Sequence, residues 1–214
     1  DAEKRLRNLF ALMATRDVPP PRPIAYFNGG LFRDPVTLPL GDVELAVLTR
    51  AAESQWRYVD PHIFGSVFQG IMNDAQRSAS GAFYTAHEDI MRVVGPTIVE
   101  PWRKRIDAAK SLAELMELRR EIAKFRVLDP ACGSGNFLYV AFRELHNVET
   151  QLLARIREFP SGQGIGWGTV ISTLNFYGID LNPFAVALAK VTLNIAKKIA
   201  FEDRRQKVAS ASHQ

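Results

Sequence analysis

Val127-Leu128-Asp129-Pro130-Ala131-Cys132-Gly133-Ser134-Gly135-Asn136-Phe137-Leu138 decides the fold of this chain. A short β-type run ends on an acid, Asp129. Two glycines then allow a sharp bend and the close approach of a ligand, and an apolar helical pattern begins at Asn136. Strand, compact turn and helix N-terminus in that order suit a nucleotide-like guest, but the details narrow its chemistry. A dinucleotide fingerprint needs a small residue three places after Gly135, where Leu138 stands. A Walker-type phosphate loop needs Gly-Lys-Ser/Thr, which the sequence lacks. An acid at the strand tip favours a cationic ligand with an α-amino group over a pyrophosphate.

Working outward from that stretch, Phe176-Tyr177-Gly178-Ile179-Asp180 reads as a second short strand. Asn182-Pro183 caps a final helix with Phe184, Ala187, Leu188, Val191 and Ile195 on one face. Asp180, at a strand end, has the geometry to accept two hydroxyl protons in a bidentate, charge-assisted way. The repeated strand, turn and helix predict an α/β domain built on a parallel, doubly wound sheet. Between the two strands, a helix from Asn136 to about Leu153 leads into Gly162, Gly164, Gly166 and Gly168, which read as a flexible loop.

Upstream of β-type residue Val127, helices are expected over about 86–100 and from Asp107 to Lys124, the latter with Leu112, Leu115, Met116 and Ile122 inward. Earlier still the pattern is helical throughout. Leu6, Leu9, Phe10 and Met13 share a face, prolines 19, 20, 21 and 23 force a connector, and Phe27 to Phe32 encloses a glycine turn. Further helices are expected from Asp42 to about Gln55 and after Asp60-Pro61, where Ile63, Phe64, Val67, Phe68, Ile71 and Met72 are spaced for burial. The expected division is a helical segment over 1–75 and a ligand-binding α/β part over 76–214.

Composition bounds the remaining classes. With 47% hydrophobic and 23% charged residues among 214, the chain is of ordinary globular type. It has no apolar run of membrane-spanning length and no signal pattern at its start. The single cysteine, Cys132, excludes an intramolecular disulfide and fits a reducing, cytoplasmic setting. A net charge of +4 is compatible with nucleic acid without demonstrating it. Because the chain opens at Asp1 within a helical pattern, it reads as a piece of something longer. His62, His87, His146 and His213 lack metal-ligand spacing, so no metal is expected. Cys132 reads as a packed turn residue rather than a nucleophile. The basic groups Arg103-Lys104-Arg105 and Arg119-Arg120 read first as solvated helix faces, with phosphate contact left open.

Asp129 to Leu138 resembles the first cofactor motif of the amino-methylating DNA methyltransferases, particularly those acting on adenine N6. Gly81-Ala82-Phe83-Tyr84-Thr85, with the helix through Ile90 and Val93, resembles that family's motif closing over the methionine end of the cofactor. Tyr177-Gly178-Ile179-Asp180-Leu181-Asn182-Pro183 resembles its second motif. The closing motif comes first, as in the family's gamma arrangement, and the resemblance spans roughly 58–200. Phe27 to Phe32 and Tyr58 to Thr85 further resemble single-chain type II restriction-and-modification enzymes and the phage-exclusion methyltransferases.

The resemblance implies a partial Rossmann-like methyltransferase sheet preceded by a helical segment, with S-adenosyl-L-methionine as cofactor. Phe83, Tyr84 and Thr85 would shield the methionine end. Asp129 with Ala131, Gly133, Ser134, Gly135, Asn136 and Phe137 would cradle it. Asp180 would hold the ribose, and Leu181 and Asn182 would border the adenine ring. The implied partner is double-stranded DNA, met by a longer parent enzyme with room for target-recognition and nuclease parts outside this chain.

Two departures stand out. Ala86-His87 follows the threonine of the closing motif where proline or serine is usual. The Asn/Asp/Ser-Pro-Pro-aromatic tetrapeptide that receives the target base is absent from residues 1–214. That absence keeps open an S-adenosylmethionine-binding module without catalysis. A methyltransferase acting on RNA or protein is a further alternative.

Overall fold

The computed structural model describes residues 2–15, 32, 39–54, 63, 70 and 85–211, with side chains in the last helix described as far as 203. The chain divides into two compact units, Asp1–Asp60 and Pro61–Gln214. In the first, α1 (Ala2–Ala14) and α2 (Asp42–Glu53) are helices without a fully buried residue. Phe10 of α1 stacks on Phe32 with ring centroids 5.1 Å apart. At the start of α2, Glu44 accepts the Gly41 N–H at 2.9 Å, satisfying one of the donors a helix start leaves open. Of the helix expected after Asp60-Pro61, residues 63 and 70 are described and are helical, with Ile63 45% exposed rather than buried; its other residues and the connector over 16–31 lie outside the described residues.

The described part of the second unit is mostly helical, with one short parallel sheet. α3 (His87–Val94) runs through a π-helical turn (Gly95–Val99) into α4 (Glu100–Ala108). The helical run therefore continues past the end expected near residue 100. Pro96 has no N–H to donate and Gly95 resists winding; the chain absorbs both by widening one turn, in which the Glu100 N–H reaches back to the Gly95 carbonyl. α5 (Leu112–Ile122) starts at Ser111, whose hydroxyl accepts the Glu114 N–H at 3.3 Å. Its inner face is Leu115, Leu118 and Ile122, with Leu112 and Met116 only partly covered.

β1 (Val127–Asp129) and β2 (Phe176–Gly178) pair in parallel, with Val127 opposite Phe176, Leu128 opposite Tyr177 and Asp129 opposite Gly178. Between them runs α6 (Asn136–Arg157), and after β2 comes α7 (Pro183–Ala211). α6 is the centre of the core. Leu138, Val140, Phe142, Leu145, Val148, Leu152, Leu153 and Ile156 are all essentially inaccessible. Phe142 meets Phe176 of β2 edge to face at 5.2 Å, which seats the strand pair on the helix. Each such side chain contributes on the order of 1.5–3 kcal/mol by burial, so α6 dominates the stability of the unit.

The face of α7 turned inward matches the expected one only in part. Val191 is buried as expected, but the other buried residues are Ala185, Ala189, Thr192, Leu193 and Ala196, whereas Phe184 is 48% exposed. Small side chains let the helix approach the glycine turn, a demand that large apolar spacing does not reveal. The loop expected at 162–168 is present, and charged side chains reach it from the helices. Arg157 donates to the carbonyls of Gln163 and Ile165, both at 2.8 Å, and lies over the Trp167 ring. Arg119 donates to the Gly168 carbonyl at 3.1 Å. The fully buried Glu149 accepts from the Thr169 hydroxyl and the Val170 N–H, both at 2.7 Å.

Candidate cofactor site

Because β1 and β2 are parallel and in register, their last residues emerge side by side. The ladder continues beyond the strands: the Ile179 N–H donates to the Asp129 carbonyl and the Cys132 N–H to the Ile179 carbonyl, each at 2.9 Å. The two turns that follow the strands are thereby stitched together. Asp180 completes the junction. Its Oδ2 accepts the Gly133 N–H at 2.9 Å and its Oδ1 accepts the Asn182 N–H at 2.8 Å. A carboxylate has about four lone-pair positions, so each oxygen retains capacity for a ligand hydroxyl while its orientation is already fixed.

The glycine turn is shaped by two left-handed residues, Gly133 at φ 50° and Gly135 at φ 88°. They serve different ends. A Cβ on Gly135 would lie 2.9 Å from both the Cα and the Cβ of Ala189, so the helix α7 leaves no room for one. A Cβ on Gly133 would meet nothing within 4 Å among the described residues, which leave the space beside it, next to Asp180, open. The turn closes through the Gly135 N–H, which donates to the Cys132 carbonyl at 2.8 Å.

Asp129 folds its side chain onto the turn, with Oδ1 accepting the Ala131 N–H at 3.1 Å. Burial raises its carboxyl above the usual carboxylate range; the Ala131 hydrogen bond opposes this and the nearby Asp180 adds to it. The two carboxylates are therefore close enough to repel. Burial, aided by both acids, also pushes the Cys132 thiol up to about 11. Cys132 is a packed, protonated turn residue.

Ala131 is exposed, Ser134 and Phe137 are half-buried, and Asn136 is buried as the first residue of α6. Its Oδ1 has no hydrogen-bond partner among the described residues. Leu181 is fully exposed beside Asp180. Asn182 is engaged differently from a bare pocket wall: its Oδ1 accepts the N–H groups of Phe184 and Ala185 at 3.0 and 3.3 Å and so caps α7. Thr85 is half-buried just ahead of α3 and shares no hydrogen bond with either turn among the described residues. Phe83 and Tyr84 lie outside the described residues. In place of the usual proline or serine, Ala86 is the N-cap of α3, and the His87 ring nitrogen lies 3.5 Å from an Arg143 guanidinium nitrogen.

One participant escaped the sequence reading. Thr192 of α7 is buried, and its hydroxyl lies 3.1 Å from the Ser134 carbonyl of the glycine turn. The only local signal was its place in the small-residue stripe with Ala185, Ala189 and Ala196. Among the described residues no group of three or more His, Cys, Asp or Glu is placed to hold a metal ion, and no helix is long and apolar enough to cross a membrane.

The chain is 32% identical over 193 residues to DNA methyltransferase A of Bacillus subtilis, covering 87% of this chain and 21% of that protein. It is 27% identical to a putative type II restriction enzyme and methyltransferase of Methanocaldococcus jannaschii, covering 81% of this chain and 18% of that protein. A solved structure of the type IIL restriction-modification enzyme MmeI, in complex with DNA, matches 97% of this chain and 29% of that one, with a TM-score of 0.82 and 25% identity. The class these features define is that of the restriction-modification DNA methyltransferases. Within it, the chain belongs to the family of the MmeI DNA-methyltransferase domain, whose profile matches residues 104–213. The chain spans about a fifth of the length of the two curated relatives.

Proposed function

We propose that this chain is the cofactor-binding part of a DNA methyltransferase that transfers the methyl of S-adenosyl-L-methionine to adenine N6 in a restriction-modification or phage-defence setting. The observation that carries the reading is the Asp180 clip: one carboxylate joins the turns after two adjacent parallel strands while keeping acceptor capacity beside an open space at Gly133. The donor set fits the ligand. A sulfonium nucleoside with an α-ammonium group is cationic at one end and offers two ribose hydroxyls at its middle. Asp129, raised by burial and by Asp180, gains from a neighbouring positive charge. Leu181, wholly exposed, offers an apolar surface for a purine.

In this reading Asp180 orients the ribose, and Asp129 with Ala131, Gly133, Ser134, Gly135, Asn136 and Phe137 holds the methionine end. Leu181 and Asn182 border the adenine ring, and Phe83, Tyr84 and Thr85 cover the opposite side. The bound cofactor supplies an electrophilic methyl group. The chain contributes by fixing its position, worth up to about 7–11 kcal/mol of a barrier in the most favourable cases.

The exposed sheet face supports a larger Rossmann-like sheet. α6 covers one face of the β1–β2 pair, while Leu128, Tyr177 and Ile179 on the other are 60%, 46% and 59% exposed. Parallel sheets are ordinarily covered on both faces. Residues 76–214 are the cofactor part in this proposal and 1–75 a helical segment joining it to other parts of a cytoplasmic enzyme. The parent would meet double-stranded DNA, as the MmeI match suggests, with target-recognition and nuclease functions outside these residues. The target-base tetrapeptide is absent from residues 1–214, so the chain alone is expected to bind without transferring.

Calorimetry of the chain with S-adenosylmethionine and S-adenosylhomocysteine tests the proposal. Saturable heat with one-to-one stoichiometry is expected. A folded chain, verified by circular dichroism, that gives only heats of dilution with both ligands would sink it.

A further inference from the structure

We propose that Thr192, on α7 and 58 residues after Ser134, is a positioning residue for the cofactor turn, acting through the peptide that links Ser134 to Gly135. This inference rests on the reading that the turn binds the cofactor. That peptide is held at both ends. Its N–H, on Gly135, donates to the Cys132 carbonyl at 2.8 Å. Its carbonyl, on Ser134, faces the Thr192 hydroxyl at 3.1 Å. A threonine in a helix commonly gives its proton to the carbonyl four residues back, and Leu188 does lie 3.1 Å from the same hydroxyl. The Ser134 carbonyl therefore shares a proton that the helix would otherwise keep to itself.

The placement gives α7 two tasks. At its first turn, Asn182 caps the helix directly after Asp180. Further along, Ala189 abuts Gly135 and Thr192 holds Ser134. Both turns are thus referenced to one rigid helix, and the separation between the ribose acceptor and the glycine turn follows from helix geometry. Thr192 is 1% exposed, so it touches no ligand; its hydroxyl acts only by fixing the peptide plane. The first N–H groups of α6 have no intrahelical acceptor, and their direction follows from that plane.

The test compares Thr192→Val, which keeps the shape and removes the hydroxyl, with Thr192→Ser, which keeps the hydroxyl and removes a methyl group. Affinity for S-adenosylhomocysteine is measured by calorimetry on the full chain, with Tm measured in parallel without ligand. The valine variant is expected to bind about five- to tenfold more weakly, the usual size of one lost hydrogen bond, and to lose some Tm as well, because the Ser134 carbonyl is left without its partner. The serine variant, which loses only a methyl group, is expected to have a lowered Tm with near-parental affinity. Parental affinity in the valine variant, or equal weakening in both, overturns the positioning role. No binding by the unsubstituted chain overturns the cofactor reading instead and takes this inference with it.

Discussion

The two left-handed glycines of the turn are expected to respond very differently to the same methyl group. In Gly135→Ala the left-handed backbone costs about 1–2 kcal/mol. The new Cβ also falls 2.9 Å from the Cα and Cβ of Ala189. Overpacking of that kind adds about 1–3 kcal/mol, and backbone of a buried helix cannot move aside as a flexible side chain can. The expected loss is thus about 2–5 kcal/mol, set against a total of roughly 5–15 for a typical domain. In Gly133→Ala only the backbone cost remains, about 1–2 kcal/mol, because none of the described residues lies within 4 Å of the added atom. Its methyl group enters the open space beside Asp180 and is expected to weaken S-adenosylhomocysteine binding well beyond its effect on stability. Denaturant unfolding of both variants, with Gly135→Ala also measured on an Ala189→Gly background, separates the contributions. Removing the Ala189 Cβ should recover part of the Gly135→Ala loss as a favourable coupling of at least about 0.5 kcal/mol. Equal losses for the two alanine variants, or no coupling to position 189, would refute the close approach of α7 to the turn.

Other outcomes follow from the same geometry. Asp129→Asn keeps the acceptor for the Ala131 N–H while removing a charge that burial and Asp180 disfavour. The folded chain holds the Asp129 proton more tightly than the unfolded chain, so the penalty is full above the folded pKa and is relieved as pH falls through it. The variant should accordingly be more stable than the parent at neutral pH, by a margin that shrinks on acidification, while binding the cationic cofactor about ten- to a hundredfold more weakly; a margin that widens toward acid would contradict the assignment. Cys132, with its thiol raised to about 11, should react with iodoacetamide at pH 8 far more slowly in the folded chain than after unfolding, and equal rates would show that the turn is open. Glu149→Ala strands the Val170 N–H and the Thr169 hydroxyl, for an expected loss of about 2–5 kcal/mol with faster amide exchange at Val170; unchanged exchange there would mean the loop is held by the arginines alone. Ser111→Ala removes the cap of α5 and should cost about 0.5–2 kcal/mol by thermal unfolding.

Much of the molecule was legible in its residues because the forces involved are local. Acid, proline and two glycines between a β-type run and a helical pattern leave few backbone solutions, so β1, the turn and α6 appear where the letters place them. The same is true of Asn182-Pro183 ahead of α7. Local reasoning failed where the deciding atoms come from elsewhere in the chain. The glycines at 162–168 announced a loop, but not the hydrogen bonds that Arg119, Glu149 and Arg157 bring to it and its exit from two helices. The large residues of α7 suggested its inward face, and Val191 is indeed buried, yet Ala185, Ala189, Thr192 and Ala196 are buried as well while Phe184 is exposed, because the close approach to Gly135 admits only a small side chain at 189. Asp180 was recognisable as an acid at a strand end. That it clips its own turn to Gly133 depends on parallel pairing in a particular register. Sequence by itself determined which backbone shapes each segment permits, since φ restrictions and side-chain periodicity act over a few residues. Tertiary structure alone decided which of those segments share atoms, since a hydrogen bond or a 2.9 Å approach between positions more than forty apart is settled only by how the whole core packs.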